Sequence, residues 1–343
     1  MKKQTVCILW LMILALCLPS GVPVCAQGNA SAADIPADAA VDFIVYPAQE
    51  GLIIAGRNEK YGFVDGGGSP VIACGYDNAY GFCGGLAAVQ MNGRWGYIDA
   101  AGSAAIPCQY DYAYDFSEGL AYIEQDGGLR CIDKTGSLIF ACGYDRAKGF
   151  SEGLSCVQQD GKWGYIDAAD KLIIPCRYES AASFSEGLAA VQMNGQWGYI
   201  DAFGKLVIPF QYESAASFSK GLAAVQMDGH WGYIDASGKL VIPFQYESAA
   251  AFSEGLAAVR MDGQWGYIDS ANGPVISCAY EQADAFADGL ARVKQEGRYG
   301  CIDQAGRLIV ACEYDNLVPC SGGVLCLKDG ALYAFDSAGQ PIQ

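Results

Sequence analysis

A repeat of constant period runs through this chain and limits its architecture more than any other feature. Gly51 and Gly85 begin a series of nine equally spaced glycines, the last of which is Gly323. An aspartate column keeps the same step from Asp65 to Asp303, and Asp336 follows one position early. Such self-similarity indicates supersecondary units that are stable only when neighbours share a core. About nine units, the last one truncated, therefore fill residues 43–343.

The local sequence of each unit predicts β-structure, although helical repeats also occur with a period of about 34 residues. In "GLAAVQMNGQWGYIDA", residues 187–202, two apolar segments flank Asn194-Gly195. Seven of the nine units carry Asn-Gly or Asp-Gly at this point, which is a strong signal for a two-residue hairpin turn. A second turn at 201–204 leads into a third strand, "KLVIPFQY" at 205–212. Each unit is thus predicted to be a three-stranded antiparallel meander followed by a linking loop.

The stacking of these units is predicted to give an all-β, open β-solenoid or superhelical array. A propeller blade usually has four strands, and its terminal strands usually interlock to close the ring. Three strands are evident in each unit, and the sequence contains no obvious closing strand. A closed β-propeller-like toroid is the alternative.

The first residues have the layout of a secretory signal peptide. Lys2 and Lys3 precede an apolar run at residues 6–18, and small residues follow up to Ala26. The run is shorter than the ~20 residues of a membrane-spanning helix, so we expect cleavage after Ala26 and no membrane span in the mature chain. Residues 27–42 are rich in Ala and Asp and are predicted to form a flexible linker. The protein is therefore expected to be secreted or held in the cell envelope.

The chain is strongly acidic, with a formal charge of −17 that becomes −19 when Lys2 and Lys3 are removed. Such a surface repels the phosphates of nucleic acids, so no nucleic-acid partner is expected. We also expect no cofactor and no metal site, since no unit offers a converging set of ligands.

The pattern "G.WGYID..GK.VIP..Y..A..FSEGLAAV" closely resembles that of the WG-repeat family, and the resemblance covers the array. It implies a β-rich repeat protein with surface or interaction roles. Hairpins that carry Trp also have a looser likeness to cell-wall-binding repeats, which recognise choline or glycans. The third unit departs from the pattern, with Leu129 and Arg130 in place of Trp-Gly, and Tyr61 and Tyr299 replace Trp in the first and eighth units.

The Trp-Gly pairs are interpreted first as core positions, because the glycine lets a neighbouring backbone or ring approach closely. A row of sugar-stacking rings is the alternative interpretation. These signature positions are Trp95, Gly96, Trp163, Gly164, Trp197, Gly198, Trp231, Gly232, Trp265 and Gly266.

Two acidic columns are interpreted as structural. The first is expected to cap turns through the aspartate side chain, and nine copies of one environment argue against catalysis. Its signature members are Asp99, Asp167, Asp201, Asp235 and Asp269. The second column, which Lys220 interrupts, is expected to be a solvated face. It contains Glu118, Glu152, Glu186 and Glu254.

Two cysteine pairs are candidate disulfides. Cys131 takes a Tyr position and Cys156 an Ala position, and Cys301 and Cys326 repeat this combination at the same separation along the chain. We predict the bonds Cys131–Cys156 and Cys301–Cys326, while a local duplication that copied small core residues remains the alternative. Most other cysteines share a column with Phe210, which is typical of a buried apolar site.

These features together predict an exported, non-catalytic binding or scaffold protein that presents its repeat surface to a protein or envelope partner. The alternative function is a repeat protein that binds cell-wall glycans. A glycan-active enzyme is the least favoured, because glycoside hydrolysis needs a carboxylate pair in two different environments.

Overall fold

The computed structural model describes residues 41–342, which form nine antiparallel sheets. Every sheet consists of strands that are consecutive in the chain. The predicted signal peptide, residues 1–26, and most of the predicted linker lie outside the described residues. Val41 and Asp42, at the end of that linker, already belong to the folded part. Val41 is buried, and the Asp42 N–H donates a hydrogen bond to the Gly56 carbonyl.

The first four sheets occupy residues 43–178. Sheet 1 contains β1 (Phe43–Gln49), β2 (Leu52–Arg57), β3 (Lys60–Val64) and β4 (Pro70–Tyr76). Sheet 2 contains β5 (Asn78–Cys83), β6 (Leu86–Met91), β7 (Arg94–Asp99) and β8 (Ala104–Tyr110). Sheet 3 contains β9 (Tyr112–Ala113), β10 (Leu120–Gln125), β11 (Gly128–Asp133) and β12 (Leu138–Cys142). Sheet 4 contains β13 (Arg146–Ala147), β14 (Leu154–Gln159), β15 (Lys162–Asp167) and β16 (Leu172–Tyr178).

The other five sheets occupy residues 180–336. Sheet 5 contains β17 (Ser180–Ala181), β18 (Leu188–Met193), β19 (Gln196–Asp201) and β20 (Leu206–Tyr212). Sheet 6 contains β21 (Ser214–Ala215), β22 (Leu222–Met227), β23 (His230–Asp235) and β24 (Leu240–Tyr246). Sheet 7 contains β25 (Ser248–Ala249), β26 (Leu256–Met261), β27 (Gln264–Asp269) and β28 (Pro274–Tyr280). Sheet 8 contains β29 (Gln282–Ala283), β30 (Leu290–Gln295), β31 (Arg298–Asp303) and β32 (Leu308–Tyr314). Sheet 9 contains β33 (Asn316–Cys320), β34 (Gly323–Lys328) and β35 (Ala331–Asp336).

The hairpin between the second and third strands of each sheet turns at two residues with positive φ. In sheet 5 these are Asn194 at 52° and Gly195 at 78°. Even the unit without a turn glycine keeps this geometry, with Asn58 at 51° and Glu59 at 61°. Two left-handed residues match the turn to the right-handed twist of the strands that it joins.

The prediction of three strands per unit is wrong for eight of the nine sheets, which have four. The additional strand lies at the start of the sheet, where the sequence predicts a loop. In sheet 6 it is only Ser214–Ala215, which pairs with Gln226 and Val225. Two residues are too few to show the alternation of apolar and polar side chains that identifies a strand.

Neighbouring sheets pack face to face and share a core. Between sheets 5 and 6, Tyr199 and Ile208 from one sheet pack with Phe218, Val225 and Ile234 from the next, and all five are at most 1% exposed. A single sheet buries little apolar surface by itself, so the stability of each unit depends on both of its neighbours.

The prediction of an open array is also wrong, because sheet 9 packs against sheet 1. Ile44 and Ile53 share a core with Val318 and Leu325, and all four are at most 2% exposed. The Asn316 side-chain N–H donates to the Ile44 carbonyl at 2.8 Å. Nine sheets that meet their neighbours in similar ways therefore return to the starting point, and the array is a closed ring.

Candidate functional site

The Trp-Gly signature lies on the third strand of a sheet, at the point where the backbone of the fourth strand approaches it most closely. A Cβ atom built on Gly198 would lie 2.6 Å from the Ile208 carbonyl oxygen. The pairing shifts at the same place, since Trp197 is opposite Tyr212 whereas Tyr199 is opposite Ile208. Glycine is required because the irregular fourth strand occupies the space of a side chain. The same close approach occurs at Gly96, Gly164, Gly232 and Gly266.

Sheet 3 lacks both the glycine and the irregularity that accompanies it. Leu129, Arg130 and Cys131 pair in regular order with Cys142, Ala141 and Phe140. The fourth strand there ends at Cys142, before the position that corresponds to Tyr212. The register shift between Cys131 and Ile132 is retained, so a side chain at the glycine position coincides with a shorter fourth strand that lacks only the irregularity at that position.

The tryptophan rings are embedded between side chains and do not form an open row. Trp95 is 3% exposed, with Tyr80 stacked on it at a centroid distance of 5.1 Å. The Lys148 ammonium lies 5.0 Å from the centroid of the Trp163 ring. Trp197 packs against the core that sheets 5 and 6 share. The following rings are half-buried: Trp163, Trp197, Trp231 and Trp265.

The signature aspartates lie inside their own turns. One carboxylate oxygen of Asp201 accepts the N–H of Phe203 at 3.0 Å and that of Lys205 at 2.9 Å. The same two bonds, to the residues two and four positions later, are made by Asp99, Asp167, Asp235 and Asp269. The Ser237 hydroxyl also donates to Asp235 and lowers the pKa of that carboxyl. These carboxylates are engaged in holding the turn between the third and fourth strands.

The second acidic column does more than form a solvated face, which is a correction to the sequence-based expectation. Glu186 accepts the N–H of Gly221, which belongs to the next sheet, at 2.9 Å. Equivalent bonds run from Gly153 to Glu118, from Gly187 to Glu152 and from Gly289 to Glu254. The column therefore ties successive sheets together.

The tyrosine after each Trp-Gly pair makes another bond between sheets. The buried Tyr199 hydroxyl donates to the Ala216 carbonyl at 2.7 Å, and its ring packs on Phe218 with centroids 4.9 Å apart. In sheet 3 the tyrosine has changed strands. Tyr122 lies opposite Cys131, packs on Phe150 and shares a hydrogen bond with Ser155.

We expect Tyr199→Phe to lower the free energy of unfolding by about 1–2 kcal/mol, because it leaves the Ala216 carbonyl without its donor. Tyr212→Phe is the matched control, since this residue is also buried but its hydroxyl is not among the buried polar atoms and forms no hydrogen bond with another described residue. Urea denaturation followed by tryptophan fluorescence measures both changes. Equal losses in the two variants would contradict a role for the bond between sheets.

The four cysteines of the predicted disulfides are free thiols in the structure. Cys301 and Cys326 lie in one core, whereas Cys131 and Cys156 lie in two different cores. Burial raises the pKa of Cys131 and of Cys301 to about 12, which leaves little of the reactive thiolate at neutral pH. The two pairings stay predictions. The cysteines in the Phe210 column are half-buried and not fully buried as their pattern suggests.

An aromatic cluster at the junction of sheets 2 and 3 is a feature that sequence analysis missed. Four aromatic rings pack one on the next in a row, with 4.8–5.3 Å between the centroids of successive rings. The order of the rings is Tyr80, Trp95, Tyr112 and Tyr114. Tyr80 and Tyr112 share a hydrogen bond through their hydroxyls, and the Tyr114 hydroxyl donates to Glu124 at 2.9 Å. In sheets 5–7 the positions that correspond to the three tyrosines hold only Ser and Ala, whereas the Trp95 position keeps its tryptophan.

Asp115 lies beside this cluster and is the most perturbed carboxyl that the structure describes. One of its carboxylate oxygens is buried and has no hydrogen-bond partner among the described residues. Burial raises the pKa of Asp115 to about 6. Other units have Ser, Gly, Ala or Pro in this column, including Ser183 and Ser217, so a comparison of columns would have identified the residue.

Aliphatic side chains are exposed at the start of the fourth strand, which is the edge strand of each four-stranded sheet. We call these residues the edge pairs, for example Leu206–Val207 at 43% and 39% exposure and Leu240–Val241 at 43% and 41%. Further exposed members are Val71, Leu138, Ile139, Leu172, Val275 and Leu308. Apolar residues therefore recur at the edges of seven of the nine sheets.

Two further properties concern the part of the chain that the structure describes. Within residues 41–342, no group of three or more metal-binding side chains is assembled. The same residues contain no helix of the length and hydrophobicity needed to cross a bilayer.

A closed ring of nine sheets, each built as an antiparallel meander, defines the protein as a nine-bladed β-propeller. The chain belongs to the family described as WG containing repeat, which confirms the resemblance seen in the sequence. The family matches eight tandem segments, at residues 61–95, 95–128, 130–163, 163–197, 197–230, 231–265, 265–299 and 299–333. No curated protein matches the chain.

Solved structures resemble this chain at low sequence identity. A crystal structure of a eukaryotic initiation factor is 12% identical and superposes with a TM-score of 0.61, over 86% of this chain and 96% of that one. Hsv2p of Kluyveromyces lactis is 12% identical and superposes with a TM-score of 0.44, over 64% of this chain and 89% of that one. The WD40 β-propeller domain of Doa1 is 14% identical, with a TM-score of 0.35 over 63% of this chain and 88% of that one. At such identities, the first likeness shows a common fold and nothing about activity.

Proposed function

We propose that this propeller is an exported, non-catalytic binding or scaffold protein that presents its sheet edges to a protein partner. The edge pairs carry the proposal, because exposed aliphatic side chains recur on the edge strands of most sheets. The edge pairs of sheets 5 and 6 each expose two consecutive aliphatic residues, and grouped apolar surface is typical of an interaction site. Export is supported by the leader-like residues 1–26, which predict a mature chain that begins at Gln27.

The state of the signature residues supports binding over catalysis. The Asp column is hydrogen-bonded inside its turns, and the Glu column joins neighbouring sheets. Both columns therefore have structural roles that repeat around the ring. Burial raises the pKa of Asp115, but its neighbours are the phenols of Tyr80 and Tyr97 and the thiol of Cys83. Glycoside hydrolysis uses a pair of carboxyl groups, and the described residues place no second carboxyl with a perturbed pKa beside Asp115.

A protein partner fits the surface better than a glycan does. Sugar recognition by stacking needs an aromatic face that is open to solvent. Tyr80 covers the Trp95 ring, Lys148 lies over the Trp163 ring, and Trp197 packs into the core between sheets. The exposed apolar groups at the sheet edges are instead aliphatic, which suits contact with protein side chains.

Photo-crosslinking in the cells that produce the protein tests the proposal. A benzophenone amino acid replaces Val241 in an edge pair or, as the control, the exposed Gln264 in a hairpin of sheet 7. We expect a covalent protein adduct from position 241 alone, on a chain recovered outside the cytoplasm that starts at Gln27. Equal adducts from both positions, or none from position 241, would exclude the proposed binding surface.

A further inference from the structure

We propose that the edges of sheets 4–6 form a docking surface for an acidic polypeptide segment with apolar side chains. This inference rests on the proposed binding function and assigns the place and the chemistry of the partner. The surface, here called the lysine edge, is made of Lys171, Leu172, Phe203, Lys205, Leu206, Val207, Lys239, Leu240 and Val241, all exposed.

Three lysines in equivalent positions give this surface its charge. Lys171, Lys205 and Lys239 each precede the fourth strand of sheets 4, 5 and 6. The same column holds Ser, Gly or Gln in five of the other sheets, and in sheet 8 it holds Arg307, which pairs with Asp303 at 2.6 Å. None of the three lysines forms a salt bridge with another described residue, in contrast to Lys60, Lys162 and Lys328.

The charge of the lysine edge is only partly offset by the turn aspartates. Of the causes that lower the pKa of Asp235, the hydrogen bond from Ser237 is the largest and the charge of Lys239 the smallest. The turn aspartate of each of these sheets directs an oxygen to backbone N–H groups, as Asp201 does to Phe203 and Lys205. A chain with 38 acidic and 21 basic residues has many carboxylates that could neutralise the lysines, yet their ammonium groups form no ion pair in the described part. A row of cations beside apolar groups is complementary to carboxylates that alternate with apolar side chains.

Phe203 marks the centre of the lysine edge. It is 89% exposed at the tip of the turn between β19 and β20, in the middle one of the three sheets. The same column otherwise holds only Gly, Ala, Thr and Ser. An aromatic ring in this place contributes nothing to the core, whereas a ring that inserts into a partner commonly supplies much of the binding energy.

A polypeptide fits the lysine edge better than a lipid surface does. Only one aromatic ring projects, and burying one such ring in a bilayer gives on the order of 2 kcal/mol, which is too little for stable anchoring. The cation and the aliphatic pair recur in the same order in all three sheets. An elongated segment that runs across the three sheets can place a carboxylate at each lysine and an apolar side chain at each aliphatic pair.

The experiment measures fluorescence anisotropy of a labelled peptide with the folded mature chain, residues 27–343. The probe has about 14 residues in which Glu alternates with Leu, with a central Phe, and a Lys-Leu peptide is its charge-reversed counterpart. The test variant is Lys171→Gln/Lys205→Gln/Lys239→Gln. The control variant, Lys60→Gln/Lys162→Gln/Lys328→Gln, makes the same change in net charge away from the lysine edge.

We expect saturable binding of the Glu-Leu peptide, weakened about tenfold in the test variant and within about twofold of wild type in the control. Phe203→Ser, which introduces the residue found at Ser237, should also weaken binding about tenfold. Raising the salt from about 0.05 M to about 0.5 M should weaken binding to the wild type more than to the test variant. Any attraction of the Lys-Leu peptide to the acidic chain should be the same in the test and control variants, which carry equal net charge.

Equal binding by the two triple variants would overturn the assignment, and so would the absence of saturable binding. Sedimentation with phosphatidylglycerol vesicles, lost in the test variant and accompanied by no peptide binding, would assign the lysine edge to a lipid surface and overturn the polypeptide. A crosslink from position 241 that persists unchanged in the test variant would leave the binding function intact and overturn only the role of the lysine edge.

Discussion

Gly198→Ala is expected to lower the free energy of unfolding by about 3 kcal/mol, at the upper end of the range typical of overpacking in a buried element. The added Cβ would lie 2.6 Å from the Ile208 carbonyl oxygen and 3.0 Å from the Phe210 nitrogen. Both are backbone atoms of β20, so the clash cannot be relieved by a change of rotamer. Urea denaturation monitored by tryptophan fluorescence measures the loss, with Trp197 next to the substitution as a local probe.

Gly143→Ala is the matched control for this prediction. Gly143 lies just after β12 in sheet 3, and a Cβ built there has no atom within 4 Å. We expect a change of less than about 0.5 kcal/mol, as for an exposed position without special geometry. If the two substitutions had the same effect, the Trp-Gly signature would not owe its glycine to the close approach of the fourth strand.

Asp115→Ser is expected to stabilise the protein by about 2–3 kcal/mol at pH 8 and by much less at pH 4. The pKa of Asp115 is raised from 3.8 to about 6 by burial, so the folded state holds this proton more tightly than the unfolded state does. The contribution of the group to stability is thus fully present below pH 3.8 and is lost as the pH rises through about 6. Serine occurs at the equivalent positions 183 and 217 and removes the buried charge.

The measurement is the free energy of unfolding in urea at several pH values between 4 and 8. Glu59→Gln removes one negative charge from an exposed turn and controls for the change in net charge. A gain in Asp115→Ser that is the same at pH 4 and pH 8 would show that the buried carboxylate is not its cause.

The β-structure of each unit was predictable because its determinants are local. Asn194-Gly195 specifies a turn with two positive φ angles, and the Asp201 side chain with Gly204 specifies the next turn. Both signals lie within a few residues of the structure that they produce. Their repetition at a constant step also established the number of units and the family.

Ring closure was not predictable because it depends on the rotation between packed sheets, which no short segment encodes. The contact of Ile44 with the core of sheet 9 is made across nearly the whole chain. The first strand of most sheets was also missed, since Ser214–Ala215 is too short to have a period. The preference for the solenoid followed from counting three strands in each unit and from expecting a shared closing strand, and the sheets of residues 41–342 form a ring without one.

For the candidate site, the sequence identified unusual residues but not their environment in the folded chain. Asp115 was detectable by aligning the units, because a carboxyl replaces small residues in its column. Its perturbed pKa was not, since burial depends on how sheets 2 and 3 meet. The lysine edge was likewise visible as Lys171, Lys205 and Lys239, but their lack of salt bridges among described residues is a property of the folded chain.

Within residues 41–342, sheets 1 and 9 exchange no strand. The seam of the ring between them contains side-chain packing and the hydrogen bonds from Asn316 to the Ile44 carbonyl and from the Cys320 thiol to the Gly66 carbonyl. A whole repeat unit can therefore be duplicated or relocated without separating two halves of any sheet. Genes for such proteins can change the order of their blades by simple recombination, and the surface carried by each blade moves with it as a single heritable module.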